Sequence, residues 1–198
     1  MAPRTIENAT IRELNAEAAL YEEQVKQERR RERAEEARTL IFNGEVSELE
    51  VGDALERLHD WALEGDDDIT VILNSPGGEI FSGLLLFDTL RAFPGEVTTI
   101  VRGLGASMGS ILAQGGDHRA ISSNSWYMVH EPATIAWGKM GDIKREAKVL
   151  ERIHDQMCGI LSERSNLTKA EIKRRSQDKD WWMNAQEALD FGFFDELR

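Results

Sequence analysis

The chain has 198 residues, 41% apolar and 30% charged, and its 24 Lys and Arg against 36 Asp and Glu leave a formal charge of −12. That size fits one ordinary globular domain plus an appendage, and the acidic balance argues against a nucleic-acid partner, which needs a basic face for phosphate. The apolar runs fall far short of the roughly 20 residues that cross a bilayer, so no membrane span is expected. The N-terminal stretch MAPRTIENATIRELN has no basic head, apolar run and small-residue cleavage site, so no secretory signal is expected. One cysteine, Cys158, allows no disulfide within the chain and points to a reducing, cytoplasmic compartment.

Residues 5–38 contain no Gly or Pro and are dense in Glu, Arg and Ala. The composition predicts one long charged helix, about 50 Å at ~1.5 Å per residue, which would overhang a small domain. Ile11, Leu14, Ala18, Tyr21 and Val25 form a narrow apolar stripe along it. Residues 1–38 are therefore expected to be a helical arm and residues 39–198 the functional domain. From Thr39 onward, apolar runs alternate with amphipathic stretches, the pattern of an α/β fold. LIFNGEV reads as a strand, and Leu49–Gly65 as a helix burying Val51, Leu55, Leu58 and Leu63. ITVILNS is a β-branched strand, followed by a helix over Ser82–Ala92. VTTIVRG is a third strand, ASMGSILAQ opens a helix, and ISSNSWYMVH reads as one further strand. Asp142–Arg164 is a long amphipathic helix, Thr168–Gln177 a short one with a Thr168–Glu171 capping box, Ala185–Gly192 a helical turn, and FFDEL the close.

Three segments carry chemistry. Asn74-Ser75-Pro76-Gly77-Gly78 follows a strand, and its paired glycines permit close backbone approach, so the turn can present a bare N–H to a ligand. Gly103-Leu104-Gly105-Ala106-Ser107-Met108-Gly109 bends a strand into a helix at Ser107. By itself Ser107 reads first as an N-cap, although a serine at a strand-to-helix turn beside free helix N–H groups is also the mechanical solution of a nucleophile elbow. Met128-Val129-His130-Glu131-Pro132 ends an apolar run in histidine. His59 and His154 lie in charged helical surroundings and His118 in a turn, while His130 ends a buried-looking strand and reads either as a buried, hydrogen-bonded histidine or as the base that a serine nucleophile would need. A carboxylate must hold its tautomer. Asp142, Asp155, Asp178, Asp180, Asp190 and Asp195 are all candidates, with Asp180, before Trp181-Trp182, expected to be the most desolvated.

These segments, in this order, resemble the proteolytic subunit of the Clp protease, a compartmentalised serine peptidase. The resemblance covers about residues 39–198: NSPGG with Asp88-Thr89 ten residues on, GASMGSILAQGG, MVHEP and DWWMNAQEALDFGFFDEL, at matching separations. It implies a crotonase-like spiral of ββα units, Ser107 as nucleophile, His130 as base, Asp180 as orienting carboxylate, and Gly78 and Met108 as the N–H donors of the oxyanion hole. It implies a protruding handle helix at about 141–164, with Ile143, Ala147, Leu150, Ile153, Met157 and Leu161 as its apolar stripe. It also implies a homo-oligomer of stacked heptameric rings around a chamber, peptide or unfolded protein as substrate, and no metal or organic cofactor. The chain departs from the family at Glu131, where Gln is usual, at Trp181, where a smaller or basic residue is usual, and at its N-terminus. There the charged arm replaces a short pore loop, which argues against docking of the family's ring ATPase. Phage-encoded relatives process capsid proteins without an unfoldase, so particle maturation is a variant of the same chemistry.

Acyl transfer of this kind should fail as His130 protonates, and each oxyanion donor should contribute about 3 kcal/mol. Three rivals share parts of the pattern. A crotonase-type acyl-CoA enzyme has the spiral and the N–H pair but no use for the triad. A signal-peptide-peptidase-like enzyme uses a Ser/Lys pair and normally a membrane anchor. A catalytically silent ring scaffold would need only the assembly and the arm.

Overall fold

The computed structural model describes residues 16, 18–26, 38–134 and 137–198, and the chain divides into two units, Met1–Arg38 and Thr39–Arg198. In the first unit residues 18–26 are helical, with Tyr21 exposed and Val25 half-buried. Ile11 and Leu14 of the expected stripe, and residues 27–37, lie outside the described residues.

The second unit is built on a seven-stranded sheet. In chain order it runs β1 (Thr39–Asn43), α1 (Glu48–Glu64), β2 (Ile69–Ser75), α2 (Ile80–Arg91), β3 (Val97–Ala106), α3 (Met108–Leu112) with a following 3-10 turn, and β4 (His118–Ile121). Then come β5 (Trp126–Val129), α4 (Met140–Glu163), α5 (Lys169–Ser176), β6 (Trp181–Asn184), α6 (Ala185–Asp190) and β7 (Glu196–Leu197). The strands β1, β2, β3, β4 and β7 form one parallel path in that order, while β5 pairs parallel with β3 and antiparallel with β6.

Strand β2 is buried at Ile69, Val71 and Leu73, which is why its β-branched run stays extended between covered faces. Ser47 caps α1, accepting from the Glu50 N–H at 3.3 Å. That helix buries Val51, Ala54, Leu58 and Trp61. Leu63, expected on the buried side, is 74% exposed: its place in the inward stripe is taken by Trp61, two positions earlier. The expected capping box of α5 is formed, Thr168 accepting from the Glu171 N–H and Glu171 from the Thr168 N–H, and Asn184 with Glu187 builds a second one on α6.

The expected single strand ISSNSWYMVH is instead split between β4 and β5 by Ser122–Ser125. The cause is β3, which changes partner along its length. Residues Thr98–Val101 pair with β4, and Leu104–Ala106 pair with β5. Between them Gly103 turns at φ +93°, and its N–H donates to Ser125 Oγ at 2.9 Å, while that hydroxyl donates to the Val101 carbonyl at 3.2 Å. On the opposite edge the Leu104 N–H donates to Asn74 Oδ1 at 3.0 Å. Two side chains thus satisfy backbone groups where the ladder shifts. The β5–β6 pair is thereby branched off the C-terminal half of β3, over the turn that follows it.

Candidate active site

Ser107 stands between the last residue of β3 and the first of α3, with φ 52° and ψ −122°. For a residue with a Cβ this backbone costs roughly 1–3 kcal/mol and persists only where surroundings enforce it. Here the Ser107 N–H donates to the Met128 carbonyl of β5 at 3.0 Å, and the Ser107 carbonyl accepts from the Ser110 N–H at 2.9 Å. The Ser75–Gly78 turn lies directly against this bend. A Cβ on Gly77 would come within 2.5 Å of Ser107 Cβ, and one on Gly78 within 2.2 Å of the Val46 carbonyl oxygen. Both glycines also have positive φ, +95° and +147°, so sterics and conformation each demand glycine.

Gly78 forms a parallel bridge to Val46. The Val46 N–H donates to Gly77 O and the Glu79 N–H to Val46 O, both at 2.7 Å. In such a bridge the polar groups of Gly78 itself point away from Val46. Met108 is the first residue of its helix, so its N–H is one of the donors without a partner inside the helix. Gly78, Ser107, Met108 and His130 all line one pocket of about 170 Å³.

His130 follows β5, and its Nε2 lies 2.8 Å from Ser107 Oγ. Asp180 precedes β6. Because Val129 pairs with Trp181 in the antiparallel β5–β6 ladder, the next residues outward, His130 and Asp180, come opposite each other, and His130 Nδ1 lies 3.3 Å from Asp180 Oδ1. The side chain of Asp180 is 56% exposed, so the expectation that the tryptophans desolvate it is corrected. Trp181 turns inward instead, packing edge-on against Phe191 and Phe193 at 5.2 and 5.8 Å, with the Arg175 guanidinium 5.2 Å from its ring. The ring anchors β6 from below and leaves the carboxylate at the rim. Of the six aspartates considered from sequence, Asp155 pairs with Lys169, Asp142 with Arg145, and Asp195 with Arg119.

The rest of the pocket is walled by Ile111, Val129, Met157 and Leu161, together with His154 and Cys158. Neither of the last two stood out in the sequence as part of a site. His154 was read as a helical residue among charges, yet it is 6% exposed. Its Nε2 lies 3.3 Å from Ser176 Oγ, whose own proton goes to the Ile172 carbonyl, and burial holds the imidazole below its ordinary pKa. Burial also pushes the Cys158 thiol up to about 11, which leaves it a poor nucleophile beside Ser107. The signal for both was the a/d-like stripe of α4, in which they neighbour Ile153 and Met157.

A family model described as Clp protease matches residues 22–198. The chain belongs to the Clp protease family. The match begins within the N-terminal unit, seventeen residues ahead of the boundary the motifs alone suggested. Among curated relatives, the ATP-dependent Clp protease proteolytic subunit 3 of Rhodococcus jostii (strain RHA1) is 35% identical over 163 residues, 81% of this chain and 80% of that protein. The ATP-dependent Clp protease proteolytic subunit of Leuconostoc citreum (strain KM20) is 35% identical over 167 residues, 81% of this chain and 82% of its own. Subunit 1 from Leifsonia xyli subsp. xyli (strain CTCB07) is 34% identical over 139 residues, 69% and 70% of the two chains. This Clp-family chain is a serine-type endopeptidase of crotonase-like α/β fold, and the family works as oligomeric rings that enclose a proteolytic chamber. No helix among the described residues is long and apolar enough to cross a membrane.

Proposed function

We propose that this chain hydrolyses peptide bonds with Ser107 as nucleophile, His130 as general base and Asp180 as the carboxylate that orients it. The observation that carries the reading is the 2.8 Å approach of His130 Nε2 to the hydroxyl of a serine held at φ 52°. With Asp180 facing Nδ1, the ring proton resides there and Nε2 keeps the lone pair that takes the serine proton. Ser107 Oγ attacks the peptide carbonyl, and the Gly78 and Met108 N–H groups hold the oxyanion. Collapse expels the amine, which takes its proton from His130, and water then releases the acyl group by the same steps.

The substrate is an extended or unfolded polypeptide, whose backbone can enter a narrow pocket beside Ser107. Met140, Ile143 and Val149 of α4 are exposed apolar side chains on a helix that buries only its C-terminal half, which favours α4 as the handle between two stacked heptameric rings. The relatives' names describe ATP-dependent enzymes, and a ring ATPase is the natural partner if the acidic and basic arm of residues 1–38 leaves the pore open. A cytoplasmic setting fits the lone, buried Cys158.

The decisive experiment is hydrolysis of an unfolded protein and of short fluorogenic peptides by wild type and Ser107→Ala, with fluorophosphonate labelling and native mass measured alongside. Wild type should label once per chain and cleave, and Ser107→Ala should do neither while keeping its oligomeric mass. Equal activity in both would refute the assignment.

A further inference from the structure

The acyl-transfer chemistry leaves unused a buried chain of hydrogen bonds that ends on the nucleophile's own carbonyl. Arg119 Nη1 donates to Gln114 Oε1 at 2.8 Å, and Gln114 Nε2 donates to the Tyr127 hydroxyl oxygen at 3.0 Å. That hydroxyl donates to the Ser110 carbonyl at 2.8 Å, and Ser110 Oγ donates to the Ser107 carbonyl at 2.6 Å. All four side chains are buried, Tyr127 and Ser110 at 0% and 1% exposure. The direction is forced from the start: a guanidinium only donates, so Gln114 must turn its oxygen to Arg119 and its amide N–H onward. Asp195 anchors the far end, accepting from Arg119 Nε and Nη2 at 3.1 and 2.6 Å.

The consequence lies in the Ser107–Met108 peptide. It is a rigid trans plate, so its C=O and its N–H point in opposite directions and rotate together. Two donors from Ser110, its N–H and its hydroxyl, clamp the carbonyl edge of that plate. The clamp also polarises the amide, because a carbonyl that accepts strong hydrogen bonds makes its own N–H a better donor. We infer that Ser110 and Tyr127 are positioning residues that aim the Met108 N–H at the developing oxyanion, Ser110 by clamping the plate and Tyr127 by fixing Ser110. This rests on the reading of Met108 as an oxyanion donor.

The test compares Ser110→Ala, Tyr127→Phe and the double variant with wild type and Ser107→Ala. The readouts are kcat and KM on a fluorogenic peptide, affinity for a peptide boronate that forms a tetrahedral adduct on serine, and thermal midpoint. Ser110→Ala should lower kcat about tenfold, short of the 10²–10³-fold seen when a donor is removed outright, with KM within about twofold and boronate affinity falling in step with kcat. Tyr127→Phe should cost about threefold, and the double variant no more than about Ser110→Ala alone, because the two act in series. A kcat within twofold of wild type for Ser110→Ala, or a loss confined to KM or explained by a lower thermal midpoint, overturns the inference. Should Ser110→Ala fail to fold, Tyr127→Phe, which deletes one hydroxyl, decides by the same split. Activity retained by Ser107→Ala would instead remove the underlying reading.

Discussion

Ser107 and His130 line the same pocket, with Asp180 behind His130, but the serine and the His130–Asp180 pair are held in different ways. On the serine side the bend is wedged between the Gly77–Gly78 turn and β5, and hydrogen-bonded neighbours such as Ser110 and Tyr127 are buried. On the other side His130 is 27% exposed and Asp180 56%, each placed by the end of a four-residue strand. The strained Ser107, the proposed nucleophile, is fixed by core packing, whereas the proposed proton-transfer pair sits at a rim where solvent screens charge and few contacts restrict motion. Substitutions on the serine side should therefore act through geometry, and those at the rim through charge and orientation.

The largest expected effect belongs to the rim group that reaches the serine, His130, whose Nε2 lies 2.8 Å from Ser107 Oγ. His130→Ala should lower kcat by about 10⁴-fold or more, as removal of a triad base does elsewhere, with the thermal midpoint nearly unchanged because the ring is part-exposed. Gly78→Ala comes next. Its Cβ collides with the Val46 carbonyl oxygen at 2.2 Å, so the turn must shift and its N–H with it, at a cost of about 10²–10³-fold in kcat and, unlike His130→Ala, a clearly lower thermal midpoint. If Gly78→Ala left both quantities unchanged, the rigid-side half of the contrast would be wrong.

Asp180→Asn sharpens the rim half. A buried triad aspartate contributes about 10⁴-fold, but an exposed carboxylate interacts through water, and a loss of about 10- to 100-fold is expected here, growing as salt is lowered because the wild-type attraction between the carboxylate and the imidazolium is then less screened. A full 10⁴-fold loss would show that assembly or substrate buries Asp180.

The smallest effect concerns His154, the pocket histidine with no part in proton transfer. Its folded pKa is lowered by burial, against opposing influences from Glu131 and Asp155 and supporting ones from Lys173 and His130. Below the ordinary value of 6.5 the unfolded chain binds a proton that the folded chain refuses, so stability should fall as pH drops through that value and level off below the folded one. His154→Asn should flatten this slope in thermal melts between neutral and mildly acid pH. A slope unchanged by the substitution would assign it to another group.

The local signals in the chain were strong where a single segment suffices. The β-branched run of β2, the Thr168–Glu171 box and the turn glycines beside Ser107 declare themselves within a few residues, because capping, pleating and positive φ are short-range demands. The residue types and order of the serine, histidine and aspartate segments were equally legible. Leu63 and the run from Ile121 to His130 were not. Leu63 loses its buried place to Trp61, and β4 is parted from β5 because β3 exchanges one neighbour for another at Gly103. Neither event leaves a mark on local periodicity.

The same boundary runs through the site. That a hydroxyl, an imidazole and a carboxylate were available, in an α/β chain of this family, was written in the order of residues. Which of six aspartates meets His130 depended on the β5–β6 register, which sets Trp181 opposite Val129 and so Asp180 opposite His130. The arrival of Tyr127, Gln114 and His154 around Ser107 likewise depended on pairings between residues far apart in the chain, whose energies come from packing and register that exist only once the sheet has closed.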